Sequence, residues 1–266
     1  MLIMKHIAYI LMIVPVLLLT SCFQDLGQNP PFDFPEQPTP PPIGADGQMF
    51  YLSFDEDLED YQSLMEAAVV GSPSFVDGKS GKAYAGAANS YLTFDVANMA
   101  APLSSEMTFT FWYKVNGTPD RAGILVIGPP HAGQPANAQN NRTSGIRIFR
   151  ENAGGLQRVK ANVGNGTADS WVDGGTKADL NPATAGWVHI ALVLTSTKAT
   201  FYMKGVEVAA ANFTGISWNG CDIISIGSGA PRFNEWGHLS DNSLIDEVRI
   251  YNKVLPVSEI QRMAAL

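Results

Sequence analysis

The segment Ser243 to Ile260, SLIDEVRIYNKVLPVSEI, constrains the fold more than any other, because it sets a carboxylate inside a run that alternates like a strand. On a two-residue period Leu244, Asp246, Val248 and Ile250 share one face, while Ile245, Glu247, Arg249 and Tyr251 share the other. Asp246 is therefore expected to point where the aliphatic side chains point. A carboxylate buried without a partner is protonated or destabilising, so this position asks for a cation, a metal ion or several backbone donors.

From Gln48 onward the chain reads as short strands separated by Gly, Asn, Asp and Pro clusters. The pattern predicts strands at Met49-Phe54, Lys82-Tyr84, Tyr91-Phe94, Met107-Val115, Gly123-Ile127, Gly145-Arg150, Gln157-Val163, Trp187-Thr195, Ala199-Met203, Ile223-Ile226 and Leu244-Tyr251. In the fourth of these, Met107, Phe109, Phe111, Tyr113 and Val115 line one face. In the eighth, Val188, Ile190, Leu192 and Leu194 form the core set, opposite Trp187, His189, Ala191 and Val193. A brief helix from about Val257 to Ala264 closes the chain. Many short strands of this kind describe an all-β, two-sheet antiparallel sandwich of jelly-roll type.

The first residues carry a short basic start at Lys5, an apolar run from Ile7 to Leu19, and then Leu19-Thr20-Ser21-Cys22. The run is short for a membrane span and ends in small residues beside a cysteine, which reads as a secretory signal over residues 1–21. It resembles a bacterial lipoprotein signal, which implies Cys22 as a lipid-modified N-terminus; a plain signal or a membrane helix is the alternative. Residues 22–47 form the linker, and within it the stretch 29–42 holds seven prolines in fourteen positions. Such a sequence favours extended polyproline geometry, as a projecting stalk or as a simple spacer. Residues 48–266 then constitute one domain of a size that can bury its own core.

Charge and cysteine content narrow the partners. The sequence carries 17 basic and 25 acidic residues, a formal net charge of −8, with no basic stripe, so nucleic acid is not expected as a partner. With Cys22 taken up by lipid, Cys221 stands alone, and the domain must rely on its core and on any bound ion rather than on a disulfide.

The runs MTFTFWYK (107–114), WVHIALVL (187–194), ATFYMKGVEV (199–208), SIGSG (225–229) and LIDEVRIYNKVLPVSEI (244–260), with GSPSFVDGKSGKAYAG (71–86) upstream, together resemble the laminin-G-like, concanavalin A-like jelly-roll family. The resemblance implies two stacked antiparallel sheets and a calcium ion where the first and last strands meet. The matching residues here are Asp55 and Asp246, whose oxygens suit calcium. The alternative is that Asp246 accepts hydrogen bonds from backbone or Arg with no ion.

The same family contains glycosidases, whose laminarinase-like members carry paired glutamates on an inner strand. Here 107–115, 187–195 and 199–203 contain no Asp or Glu, and the acidic run DEDLED (55–60) lacks that spacing, so an enzyme is disfavoured. His131, His189 and His238 lie far apart in sequence, and no HExxH, GxSxG or CxxC motif occurs. Binding is the stronger case. Sugar rings present apolar C–H faces ringed by hydroxyls, and sites for them combine aromatic platforms with planar polar groups.

The loop GSGAPRFNEWGHLSDNS (227–243) supplies Arg232, Phe233, Asn234, Trp236, His238, Asp241 and Asn242, with Trp171 as a further candidate; Phe233 and Trp236 either face a ligand or pack beneath the loop. Trp218 is a weaker candidate, and Trp112 and Trp187 are expected to pack a sheet face. The polar stretch 127–145 offers one rim of a site. The expectation is a cell-envelope lipoprotein on the outward side of the outer membrane, binding a polysaccharide or glycoconjugate for neighbouring uptake proteins. Adhesion to a protein, or an atypical hydrolase or lyase, are the alternatives.

Overall fold

Side chains that alternate between apolar and polar cannot bury one face except against a second layer, and the computed structural model, which describes residues 46–55 and 57–266, supplies that layer. The signal segment, the anchor Cys22 and the proline-rich linker up to residue 45 lie outside the described residues. In chain order the strands are β1 (Gln48–Leu52), β2 (Glu59–Asp60), β3 (Met65–Glu66), β4 (Ala68–Val70), β5 (Ser74–Asp77), β6 (Lys82–Ala85), β7 (Tyr91–Asp95), β8 (Met107–Lys114) and β9 (Arg121–Gly128). There follow β10 (Ile146–Ala153), β11 (Leu156–Gly164), β12 (Asp169–Asp173), β13 (Asp179–Leu180), β14 (Val188–Leu194), β15 (Lys198–Met203), β16 (Val206–Asn212), β17 (Ile223–Ile226), β18 (Leu244–Tyr251) and the helix α1 (Val257–Ala264).

One sheet runs β16-β15-β14-β8-β18-β6-β5, with β1 also paired to β18; the other runs β12-β11-β10-β9-β17-β7-β4, with β13 paired to β11. Every pairing in both is antiparallel. The expected inward sets meet between the sheets: Met107, Phe109, Phe111, Tyr113 and Val115 from β8 and its end join Val188, Ile190, Leu192 and Leu194 from β14 in one core. Phe50 meets Phe94 of the facing sheet edge to face, ring centres 5.0 Å apart. On the outer side of the first sheet Ala191, Val193, Tyr202 and Tyr251 are covered by Leu255, Ile260 and Met263, so α1 lies there as an amphipathic cover.

The strict two-residue reading of β18 breaks at a bulge. Asp246 lies opposite Trp112 and Arg249 opposite Thr110, so the two residues between them face the single Phe111, and Glu247 takes a left-handed φ of 54°. An extra residue reverses the phase of everything beyond it. Ile245, Val248 and Ile250 therefore point into the core, whereas Asp246 leaves the aliphatic set and shares the outer face with Trp112. It is nonetheless fully buried, because the turn at 78–82 folds over it.

Several strands went unpredicted: β2 to β5, β12, β13 and β16. Trp187 precedes β14 rather than starting it.

Candidate functional site

On the second sheet, the residues that alternate away from the core form an outer surface. Arg147 and Phe149 of β10 lie beside Asn162 and Lys160 of β11, and these beside Trp171 and Asp173 of β12. Over this surface folds the loop between β17 and β18. Gly229 and His238 close its neck through a backbone bond of 2.9 Å. A Cβ at Gly229 would lie 2.1 Å from the carbonyl oxygens of Phe233 and His238, so no larger residue fits there.

The loop brings Trp236 to Trp171. Their planes differ by 16° with ring centres 6.4 Å apart, and they are 41% and 43% exposed. Phe233 and His238 lie beneath, 1% and 0% exposed, stacked on each other at 4.6 Å, with Phe149 5.3 Å from Phe233 and 5.8 Å from Trp171. The two tryptophans thus form the surface of an aromatic stack, and Phe233, His238 and Phe149 form its floor.

Arg232 and Asn234 are engaged elsewhere. Arg232 pairs with Asp222, its Nε donating to Oδ1 at 2.8 Å. Asn234 ties the loop to the 131–140 segment: its Oδ1 accepts from the Gln139 amide at 2.9 Å and its Nδ2 donates to the Ala136 carbonyl at 2.8 Å. The polar stretch 127–145 does border the site, and it delivers a residue that sequence reasoning did not single out. The Arg142 guanidinium carbon lies 4.7 Å from the ring centre of Trp236 and 5.3 Å from that of Trp171. Trp171 stood out in the sequence only as a further aromatic candidate in SWVD; nothing local marked Arg142.

Carboxylates on this outer face are paired. Lys160 reaches Glu151 at 3.0 Å and Asp173 at 3.2 Å, and Arg158 meets Asp179 at 2.6 Å. Hydrogen bonds with His238 and then with Lys160 hold the Glu151 carboxyl down at about 2. Trp218 instead packs against the core and donates from Nε1 to the Ser104 carbonyl at 2.7 Å; with Val96, Met99, Leu103 and Cys221 it lines an open cavity of about 440 Å³. The Ser225 hydroxyl is spent on the Ser228 carbonyl, 3.0 Å away within its own turn.

At the first sheet, Asp55 and Asp246 grip one turn from two sides. Asp246 Oδ2 accepts from the Lys79 and Ser80 amides at 2.7 and 3.0 Å, and Asp55 Oδ1 from the Lys82 amide at 2.7 Å. Asp246 Oδ1 is buried with no hydrogen-bond partner, and burial pushes this carboxyl up to about 7. An orphaned carboxylate oxygen with a second carboxylate on the same turn fits a hard cation. Among the described residues no group of three or more His, Cys, Asp or Glu side chains gathers, so backbone carbonyls and water would complete such a shell.

A family model described as the concanavalin A-like lectin/glucanases superfamily matches residues 86–261. No curated protein sequence matches the chain. Among solved structures, it is similar to domain 4 of AbnA, a GH43 extracellular arabinanase from Geobacillus stearothermophilus, in complex with arabinotriose: 21% identity, TM-score 0.59, covering 82% of this chain and 98% of that one. It is also similar to the binding domain of botulinum neurotoxin DC, solved in complex with rat synaptotagmin II (13% identity, TM-score 0.57) and with SialylT (12%, 0.55). In each of those two pairs 83% of this chain aligns with 51% of the other, so the chain spans about half the toxin binding domain.

Proposed function

The chain belongs to the concanavalin A-like lectin/glucanases superfamily, and from that premise we propose that it captures a polysaccharide or glycoconjugate on the Trp171–Trp236 surface without cleaving it. The observation that carries the reading is the pair of half-exposed, near-parallel indoles brought together from β12 and a distant loop. Such rings have no core to fill and match the apolar face of a sugar. The arabinanase domain bound to arabinotriose supports the ligand class. Passive binding is supported by Glu151, whose bonds to His238 and Lys160 hold its carboxyl down at about 2, so that it carries no proton to give to a leaving group at neutral pH. Expected affinity is weak, roughly −4 to −8 kcal/mol, since ordering a hydrated sugar chain costs most of what contact supplies.

In the same reading Cys22 carries lipid, residues 22–47 are the spacer, and the domain faces outward from the outer membrane beside uptake proteins. Calcium is held by Asp55 and Asp246, supported by the unpartnered Asp246 oxygen. A second reading, docking to a protein, is favoured by one feature: the edge strands β4 and β5 expose Val69, Val70, Phe75 and Val76. Affinity electrophoresis through gels containing polysaccharides tests the first reading. Retardation of the native domain that is lost in Trp236→Ala, with folding intact, supports it; equal retardation of both excludes this surface.

A further inference from the structure

Arg142 lies on the exposed indole pair, and its guanidinium donates no hydrogen bond among the described residues. Its one ion pair among the described residues is with Asp169, 3.5 Å from Nε and without a hydrogen bond, and that carboxylate also accepts from Asn162 Nδ2 at 2.6 Å. The loop carrying Arg142 is fixed from below. Arg147, fully buried, donates to the carbonyls of Asn141, Arg142, Ser144 and Gly145, and pairs with no carboxylate among the described residues. Two cations, Arg142 and Arg147, thus stand near Asp169; of the other acids on this face and its loop, Glu151 bonds His238 and Lys160, Asp173 pairs with Lys160, and the Glu235 carboxylate accepts from Asn140 Nδ2 at 2.6 Å.

From this arrangement we infer that the saccharide bound at Trp171 and Trp236 is acidic, of uronate type, and that Arg142 is the residue that selects it. The inference rests on the saccharide reading of the same surface. A guanidinium lying over two indoles and donating no hydrogen bond among the described residues keeps its N–H groups for a ligand, and its planar fork matches a carboxylate with two parallel hydrogen bonds. A sugar ring on the indoles brings an exocyclic carboxylate to this edge. The overall negative charge of the chain does not oppose this at contact range, because charges more than about 8–10 Å away are screened at physiological salt.

The test uses the full lipid-free domain with polygalacturonate, alginate and hyaluronan, each beside its carboxyl-reduced, neutral counterpart, by affinity electrophoresis and calorimetry. The expected result is at least about tenfold tighter binding of an acidic polymer than of its neutral form, equivalent to about 1.4 kcal/mol. In Arg142→Gln the acid-to-neutral ratio falls to near one, and in Arg142→Lys, which keeps the charge but not the fork, it is intermediate. Equal or tighter binding of the neutral forms by the native domain overturns the inference and leaves the saccharide reading standing. An undiminished ratio in a folded Arg142→Gln overturns it too. Retention of no polymer, acidic or neutral, overturns both.

Discussion

Arg150 of β10 and Asp241 of the β17–β18 loop form an ion pair of 2.8 Å in which neither side chain has any solvent exposure. Asp241 also accepts from the Tyr113 hydroxyl of the opposite sheet at 2.5 Å and from the Ser243 amide at 3.0 Å, while Arg150 donates to the Pro119 carbonyl and to Gln157 Oε1 at 2.5 Å each. One loop carboxylate therefore fastens both sheets, and the loop so fastened is the one that presents Trp236.

Breaking this pair from one side leaves a buried charge uncompensated, a change that typically costs about 3–5 kcal/mol. Arg150→Met is expected to lower the unfolding free energy by that order in urea titration. A loss below about 1 kcal/mol, the usual value of a solvated pair, would show that the network is not the fastening described.

Acid sensitivity should come from His189. It is 2% exposed, set edge to face against Trp112 with ring centres 5.3 Å apart, and burial, with a smaller contribution from Arg249, pushes its pKa down from 6.5 to about 4. A base whose folded pKa is depressed contributes stability that is complete above the unfolded value and is lost as pH falls through the folded one. The loss is therefore expected between about pH 6.5 and 4, reaching up to about 3 kcal/mol. Asp246, whose carboxyl burial pushes up to about 7, acts with the opposite sign over the same range when no ion is bound, so the readout in denaturant melts is a difference: the native domain should lose stability relative to His189→Gln as pH falls from about 6.5 to 4. Identical slopes in the two proteins would remove His189 from the account.

Chelator should lower the melting temperature. An ion bound only by the folded state adds about 2.7 kcal/mol at one hundred times its dissociation constant. Calcium is expected to restore the melting temperature of the native domain and to leave Asp246→Asn unmoved. No change on adding excess chelator to the native protein would mean that the two carboxylates serve only the backbone of residues 79–82.

The strands legible from sequence were those with strong side-chain preference on both faces. MTFTFWYK and WVHIALVL declared their inward sets because aromatic and β-branched residues alternate without interruption. β12, DSWVD, and β16, VEVAAAN, were missed because Asp, Ser, Ala and Asn carry little strand preference, and their pairing comes from neighbours already in place. The phase of Asp246 was unreadable for a different reason. A bulge adds one residue without a required sequence marker, and Glu247 is not a glycine that would have announced a left-handed backbone. At the site, Trp171 and Trp236 were recognisable as aromatics without an evident core position. The burial of Phe233 and His238 and the approach of Arg142 depend on contacts between segments tens of residues apart, to which local periodicity is blind.

The account stands most directly on whether the two indoles hold sugar without turnover. Calorimetric titration of the native domain and of Trp171→Ala/Trp236→Ala with a retained polysaccharide, paired with an assay for newly formed reducing ends, measures both parts at once. The account predicts binding by the native domain, at least a tenfold loss in the folded double variant, and no new ends in either. Undiminished binding by the double variant, or steady release of reducing ends by the native domain, would contradict it.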